Sequence, residues 1–163
     1  MTSTSTPLII RITKHLPLAE KGLLTALLIG AILMILKMDS LVTRVALLGL
    51  ALTFFLLAYR PADIPRREND PFGFSELLGW LIVPKVLWIS SAVSSLGIAF
   101  FLFDFGNDGY KQLLFIGGLS IGIGATVLLI LFISGVKHIG VVAPVLLRAI
   151  PLAAVDCYLL FQG

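Results

Sequence analysis

Arg148 and Asp156 are the residues best placed to do chemistry, because both interrupt an otherwise apolar segment running from Ile139 to Phe161. An ionisable side chain inside a membrane segment is costly, so it is kept for handling ions or protons or for pairing with another charge. The two lie eight residues apart, which on an ideal helix is about two turns and about 80° of rotation, with Pro151 between them. A position of Asp156 close to the membrane surface is the simpler alternative. A second set of charges, Lys37, Asp39, Arg44, Asp104, Asp108 and Lys111, falls at the tips of two apolar hairpins. Interfacial anchoring accounts for them, and pairing of Lys37 or Arg44 with Asp104 or Asp108 is expected to tie one hairpin to the other.

Other chemistries find little to work with. A metal site needs several converging ligands, whereas the chain has two histidines and one cysteine with no ligand spacing between them. His15 and His138 form a haem pair in one reading and solvated interfacial groups in the simpler one, and no cofactor is expected. Cys157 has no basic neighbour to lower its pKa and reads as a buried, inert thiol. The string Gly118-Leu119-Ser120-Ile121-Gly122 lies inside an apolar run and not at a strand-to-helix turn, so it makes no nucleophile elbow, and there is no H-E-x-x-H pair. Arg60, Arg66 and Arg67 are interrupted by Asp63, Glu68 and Asp70, which does not make a nucleic-acid-binding face.

The elements that must hold these residues are membrane helices. Of 163 residues, 58% are hydrophobic and 13% charged, with a net charge of +3, and the mean hydropathy is +1.05. A soluble domain is nearer a quarter charged, so a disordered chain, a disulfide scaffold and an ordinary water-soluble enzyme are excluded. Crossing a hydrocarbon core takes about 20 helical residues. Gaps between charges predict an all-α integral membrane protein with four transmembrane helices arranged as two hairpins. After a basic N-terminal arm over 1–21, the first hairpin covers 22–59. A loop with a short interfacial helix covers 60–83, with Ser75 as its N-cap, and Pro84 opens the second hairpin over 84–136. Trp80 and Trp88 are expected at headgroup level. The last segment, 137–163, carries Pro144, Arg148, Pro151 and Asp156, and reads as a kinked or interfacial helix, a fifth span, or a re-entrant segment. The Ser/Thr-rich N-terminus and the lack of a cleavage site predict that the first helix is retained.

Arg11, Lys14, Lys21, Arg60, Arg66, Arg67, Lys85 and Lys137 fall on one side of this arrangement, and Lys37, Arg44 and Lys111 on the other. The positive-inside rule then puts the N-terminus in the cytoplasm, most simply of a bacterial inner membrane. The stretch from Gly30 aligns with that from Gly97: a glycine, a charge seven residues on (Lys37, Asp104), a basic residue (Arg44, Lys111) and a further glycine (Gly49, Gly117), as a parallel repeat would give. Small residues recur at four-residue spacing, Gly22, Ala26 and Gly30, then Ser90 and Ser94, then Gly118 and Gly122. Close helix packing explains them, with a dimer face or a serine-lined polar path as alternatives. Residues 30–61, GAILMILKMDSLVTRVALLGLALTFFLLAYRP, are similar to the membrane hairpin of the stator subunit of bacterial gliding-motility and secretion motors. The similarity lies in a glycine, a lysine at the tip and apolar filler, the His-Trp-Pro-Gly turn is missing, and no residue role or function is carried over.

Three functions are compatible with this pattern. The lack of catalytic groups and the abundance of packing faces favour a non-enzymatic scaffold or accessory subunit of a larger membrane complex, contacting lipid and either other subunits or itself. A small oligomeric transporter or channel subunit would use Asp156 or the outer carboxylates. An interfacial lipid-modifying enzyme would draw on Glu76, His138 or Asp70.

Overall fold

Residues 8–36, 41–60, 73–104, 108–136 and 142–162 are described by a computed structural model, and among them there are helices and no strands. In chain order they are α1 (Leu8–Ile35), α2 (Leu41–Ala58), a short α3 (Phe74–Leu77), a π turn (Leu78–Ile82), α4 (Val83–Leu102), α5 (Gly109–Ile133) and α6 (Ala143–Gln162). Five helices are long and apolar enough to cross a membrane, α3, the π turn and α4 counting as one from Phe74 to Leu102. The 20 residues of α6 reach about 30 Å, the thickness of a hydrocarbon core.

Two segments depart from the sequence expectation. The stretch assigned to a polar arm is helical from Leu8 onward, and Pro17 is accommodated inside α1. Leu16 and Glu20, one turn apart, are both buried, so packing recruits that stretch into the helix. At the third helix, Gly73 and not Ser75 is the N-cap, in an extended conformation. The Glu76 carboxylate reaches back to accept the Gly73 N–H at 3.3 Å. No break precedes Pro84. The helix widens instead into the π turn, where Val83 N–H donates to the Leu78 carbonyl. A proline clashes with the carbonyl four residues before it and leaves that carbonyl without its donor, and the wider turn makes room for the ring.

The helix ends follow local chemistry. Beyond Phe103 the chain leaves α4 through Asp104 at φ 50°, a left-handed conformation that aspartate tolerates better than most residues. At the end of α5, Gly135 takes φ 74°. There Gly135 N–H donates to the Phe132 carbonyl at 3.1 Å and Val136 N–H to the Leu131 carbonyl at 3.2 Å. This is the paired closure of a helix terminus that needs a glycine.

α4 is the central helix, packed against α2, α5 and α6, while α1 lies on α2. Its contact with α5 is set by Gly117, where an added Cβ would stand 2.9 Å from the Ser94 nitrogen. Gly124 meets Leu87, and Gly97 meets Leu113 and Leu114, along the same seam. Three apolar clusters result: Leu87, Ile121, Leu128 and Ala149; Leu16, Leu50, Phe54 and Ala92; and Leu47, Ile98, Ala99 and Leu114. Leu152 of α6 packs against all three. Large apolar side chains also face outward, among them Leu28, Leu52, Ile133 and Phe161, a surface suited to lipid and too apolar for water. The hydroxyls of Thr53 and Ser91 donate to carbonyls one turn back, which satisfies them without solvent.

Candidate functional site

The polar groups held within the helices form two knots, one near each end of α6. The first is built on Arg148, about 8 Å along the axis from the start of α6. Its guanidinium Nε pairs with Glu20 Oε1 of α1, and the Glu20 side chain is only 4% exposed against 37% for Arg148. The Arg148 Nη1 also donates to the Pro144 carbonyl at 3.2 Å. The same guanidinium lies 5.7 Å from the centroid of Trp88 on α4, and Trp88 is 5.5 Å from Phe54 on α2. One arginine thus connects α6 to α1 by charge and to α4 by a cation–π contact, with Trp88 tilted against Phe54 of α2. Trp88, expected at headgroup level, is engaged in this packing. Glu20 was not singled out from the sequence because it borders the first apolar run beside Lys21, where a charge reads as an end marker.

The second knot is centred on Asp156, about 9 Å from the end of α6. Its residue is fully buried. Ser94 Oγ on α4 donates to Asp156 Oδ1 at 2.9 Å, while Oδ2 is buried with no hydrogen-bond partner. On the third side stands Gly118 of α5, whose absent Cβ would lie 3.2 Å from Asp156 Cβ and 3.4 Å from Oδ2. A carboxyl in such a place takes a proton, a cation or a donor hydroxyl at its open oxygen. Ser91 and Ser95 of α4 are buried too, and the Ser95 hydroxyl has no hydrogen-bond partner either.

Arg148 and Asp156 therefore do not join each other. Each ties α6 to a different neighbour, and Ala149 and Asp156 are the buried residues of that helix. Cys157, expected to be buried, is exposed. One position beyond Asp156 it has turned about 100° around the axis, onto the wall of an open groove between α5 and α6 of about 740 Å³.

The small residues divide by role. Ser90, Ser94 and Gly30 are buried, Ala26 and Gly118 are half-buried, and Gly22 and Gly122 are exposed. A Cβ on Gly22 or Gly122 would meet nothing within 4 Å. Close approach inside the fold is made at Gly117 and Gly124, one residue before Gly118 and two residues after Gly122. The two aligned glycine hairpins also pack in different register. Gly49 receives Leu23, seven positions before Gly30, and Gly117 receives Ser94, three positions before Gly97.

At the hairpin tips, Arg44 lies 5.6 Å from the centroid of the Phe103 ring, which joins α2 to the end of α4. Asp108 pairs with Lys111 of its own turn at 3.4 Å, and Asp104 is exposed. Lys37, Asp39, Asp70 and His138 lie outside the described residues. Glu76 is engaged in capping its own helix. Among the described residues no group of three or more His, Cys, Asp or Glu side chains converges in a manner that could hold a metal. Comparison with family models, with curated proteins and with solved structures finds no match.

Proposed function

We propose that this chain is a non-enzymatic membrane protein that acts as a scaffold or accessory subunit of a larger assembly, in a bacterial inner membrane with its N-terminus cytoplasmic. The observation that carries this reading is the use made of the deep polar groups. Glu20 closes on Arg148, Ser94 on Asp156, and the Ser91 hydroxyl on its own helix. The first two pairs hold helices together, and the Ser91 hydroxyl is satisfied within α4. Orientation rests on the distribution of lysine and arginine.

The test is purification of the tagged protein from native membranes in mild detergent, followed by mass spectrometry and sizing. Stoichiometric foreign subunits are the expected result. A chain that purifies as a homo-oligomer refutes the accessory role and favours transport.

Transport is the second reading, and a specific observation favours it: Asp156 Oδ2 has no partner in an apolar setting. Reconstituted into vesicles, the protein alone would then support ion flux that Asp156→Asn abolishes.

A further inference from the structure

The groove between α5 and α6 has two features that ordinary lipid-facing surface lacks. Its floor is formed by glycine, since a Cβ on Gly122 would meet nothing and one on Gly118 would meet only Asp156. A helix backbone can approach α5 closely there, as small residues spaced by four allow. The second feature is chemical. Asp156 lines the groove, its residue is fully buried, and its Oδ2 is unpartnered. Lipid chains fill such a groove without offering a donor.

The dimensions suit a helix. The lining extends along α5 from Leu114 to Val127, about 20 Å, which is more than three turns of a docked helix. An open groove of this length, walled by α5 and α6, can take the ridge of a helix laid along it. Charge selects the occupant further. Arg148 is committed to Glu20, so Asp156 has no cationic partner from its own helix.

Resting on the accessory-subunit reading above, we propose that this groove is the docking site of a membrane-spanning helix of a partner subunit. That helix lays small residues against Gly118 and Gly122 and turns one lysine or arginine toward Asp156. Asp156 is then the position at which the partner is recognised, because a buried cation on the partner finds its counter-charge there and nowhere on plain lipid-facing surface.

The experiment places a photoreactive residue at Ile123, an exposed residue of the groove wall, in native membranes, with mapping of the cross-linked peptides. Gly122→Leu puts bulk into the groove from a position whose Cβ meets nothing within 4 Å, and Asp156→Asn keeps an acceptor for Ser94 while removing the charge. Unchanged sizing and thermal unfolding of both variants verify that they fold. The expected adduct is a membrane helix of another protein bearing a lysine or arginine, and each variant lowers its yield about tenfold, the effect of about 1.4 kcal/mol. Asp156→Lys combined with the reciprocal carboxylate at the mapped partner cation restores it. Adducts to lipid only, to a second copy of this chain, or to a partner helix unaffected by both variants overturn the proposal. Foreign subunits that co-purify in stoichiometric amounts but cross-link from another face overturn the groove assignment alone. A chain that purifies without foreign subunits overturns the accessory reading itself.

Discussion

Gly117→Ala sets a methyl group 2.9 Å from the Ser94 nitrogen and 3.0 Å from its Cα and Cβ. Carbon contacts relax at about 3.5 to 4.0 Å, so α4 and α5 must part by about 0.5 to 1 Å. Two of the three atoms are backbone, and no rotamer change relieves the clash. Overpacking of this kind costs about 1 to 3 kcal/mol, while replacing a helical glycine by alanine returns up to about 1 kcal/mol. With the full backbone gain a net loss of up to about 2 kcal/mol follows, and the same separation stretches the 2.9 Å bond from Ser94 to Asp156. Gly122→Ala is the matched comparison, since its Cβ meets nothing within 4 Å. It gains the backbone contribution with no clash and is neutral or slightly stabilising. Reversible unfolding in detergent, followed by fluorescence of Trp80 and Trp88, measures both. If the two alanines shift stability equally, the helix contact at Gly117 is not as described.

Arg148→Met strands the buried Glu20 carboxylate and is expected to cost about 3 kcal/mol, the lower end for a broken buried pair because the arginine is partly exposed. Adding Glu20→Gln should recover much of that loss in the same unfolding assay, and strictly additive losses would contradict the pairing. Ser94→Ala leaves both Asp156 oxygens without a donor and should cost about 1 to 3 kcal/mol, more than Asp156→Asn, which retains an acceptor; the opposite order in thermal unfolding would refute the geometry. Gly49→Ala approaches only the flexible tip of Leu23, at 2.7 Å from Cδ2, so its destabilisation should be smaller than that of Gly117→Ala. Cys157 is exposed yet about 8 Å from the end of α6, so in membranes a lipid-soluble maleimide should label it faster than a charged, impermeant one. Equal rates would place the thiol in water.

Charge gaps made the helical class and the existence of the apolar helices legible, because charges are costly across a hydrocarbon core and their absence over about 20 residues is informative by itself. The same rule hid the start of α1. Pro17, Glu20 and Lys21 look like the end of a polar arm, and only the tertiary burial of Leu16 and Glu20 shows otherwise. Spacing of four found the glycine stripes of α5 but could not choose between interleaved ones: Gly118 and Gly122 share a face, and the close contacts fall to Gly117 and Gly124. Asp156 was legible as an ionisable group in an apolar run. Its partner was not, since Ser94 lies 62 positions away and any of four serines on α4 had an equal claim. Cys157 turned out exposed because helix phase, and not hydrophobicity, decides which neighbour of a buried residue faces out.

The π turn at Leu78–Ile82 has a consequence for the tolerance of this helix to insertions and deletions. A wide turn holds one residue more than regular α-helix would need, and one residue corresponds to about 100° of azimuth. Gly79 within it faces Leu131 of α5, at 3.2 Å from where its Cβ would be. Losing a single residue there would let the helix run on as regular α-helix with Phe74–Leu77 and α4 in the same phase, whereas a residue lost from regular helix turns everything before it by about 100°. A one-residue deletion at this point is thus taken up by closing the wide turn, and the packing of α4 beyond Pro84 keeps its phase.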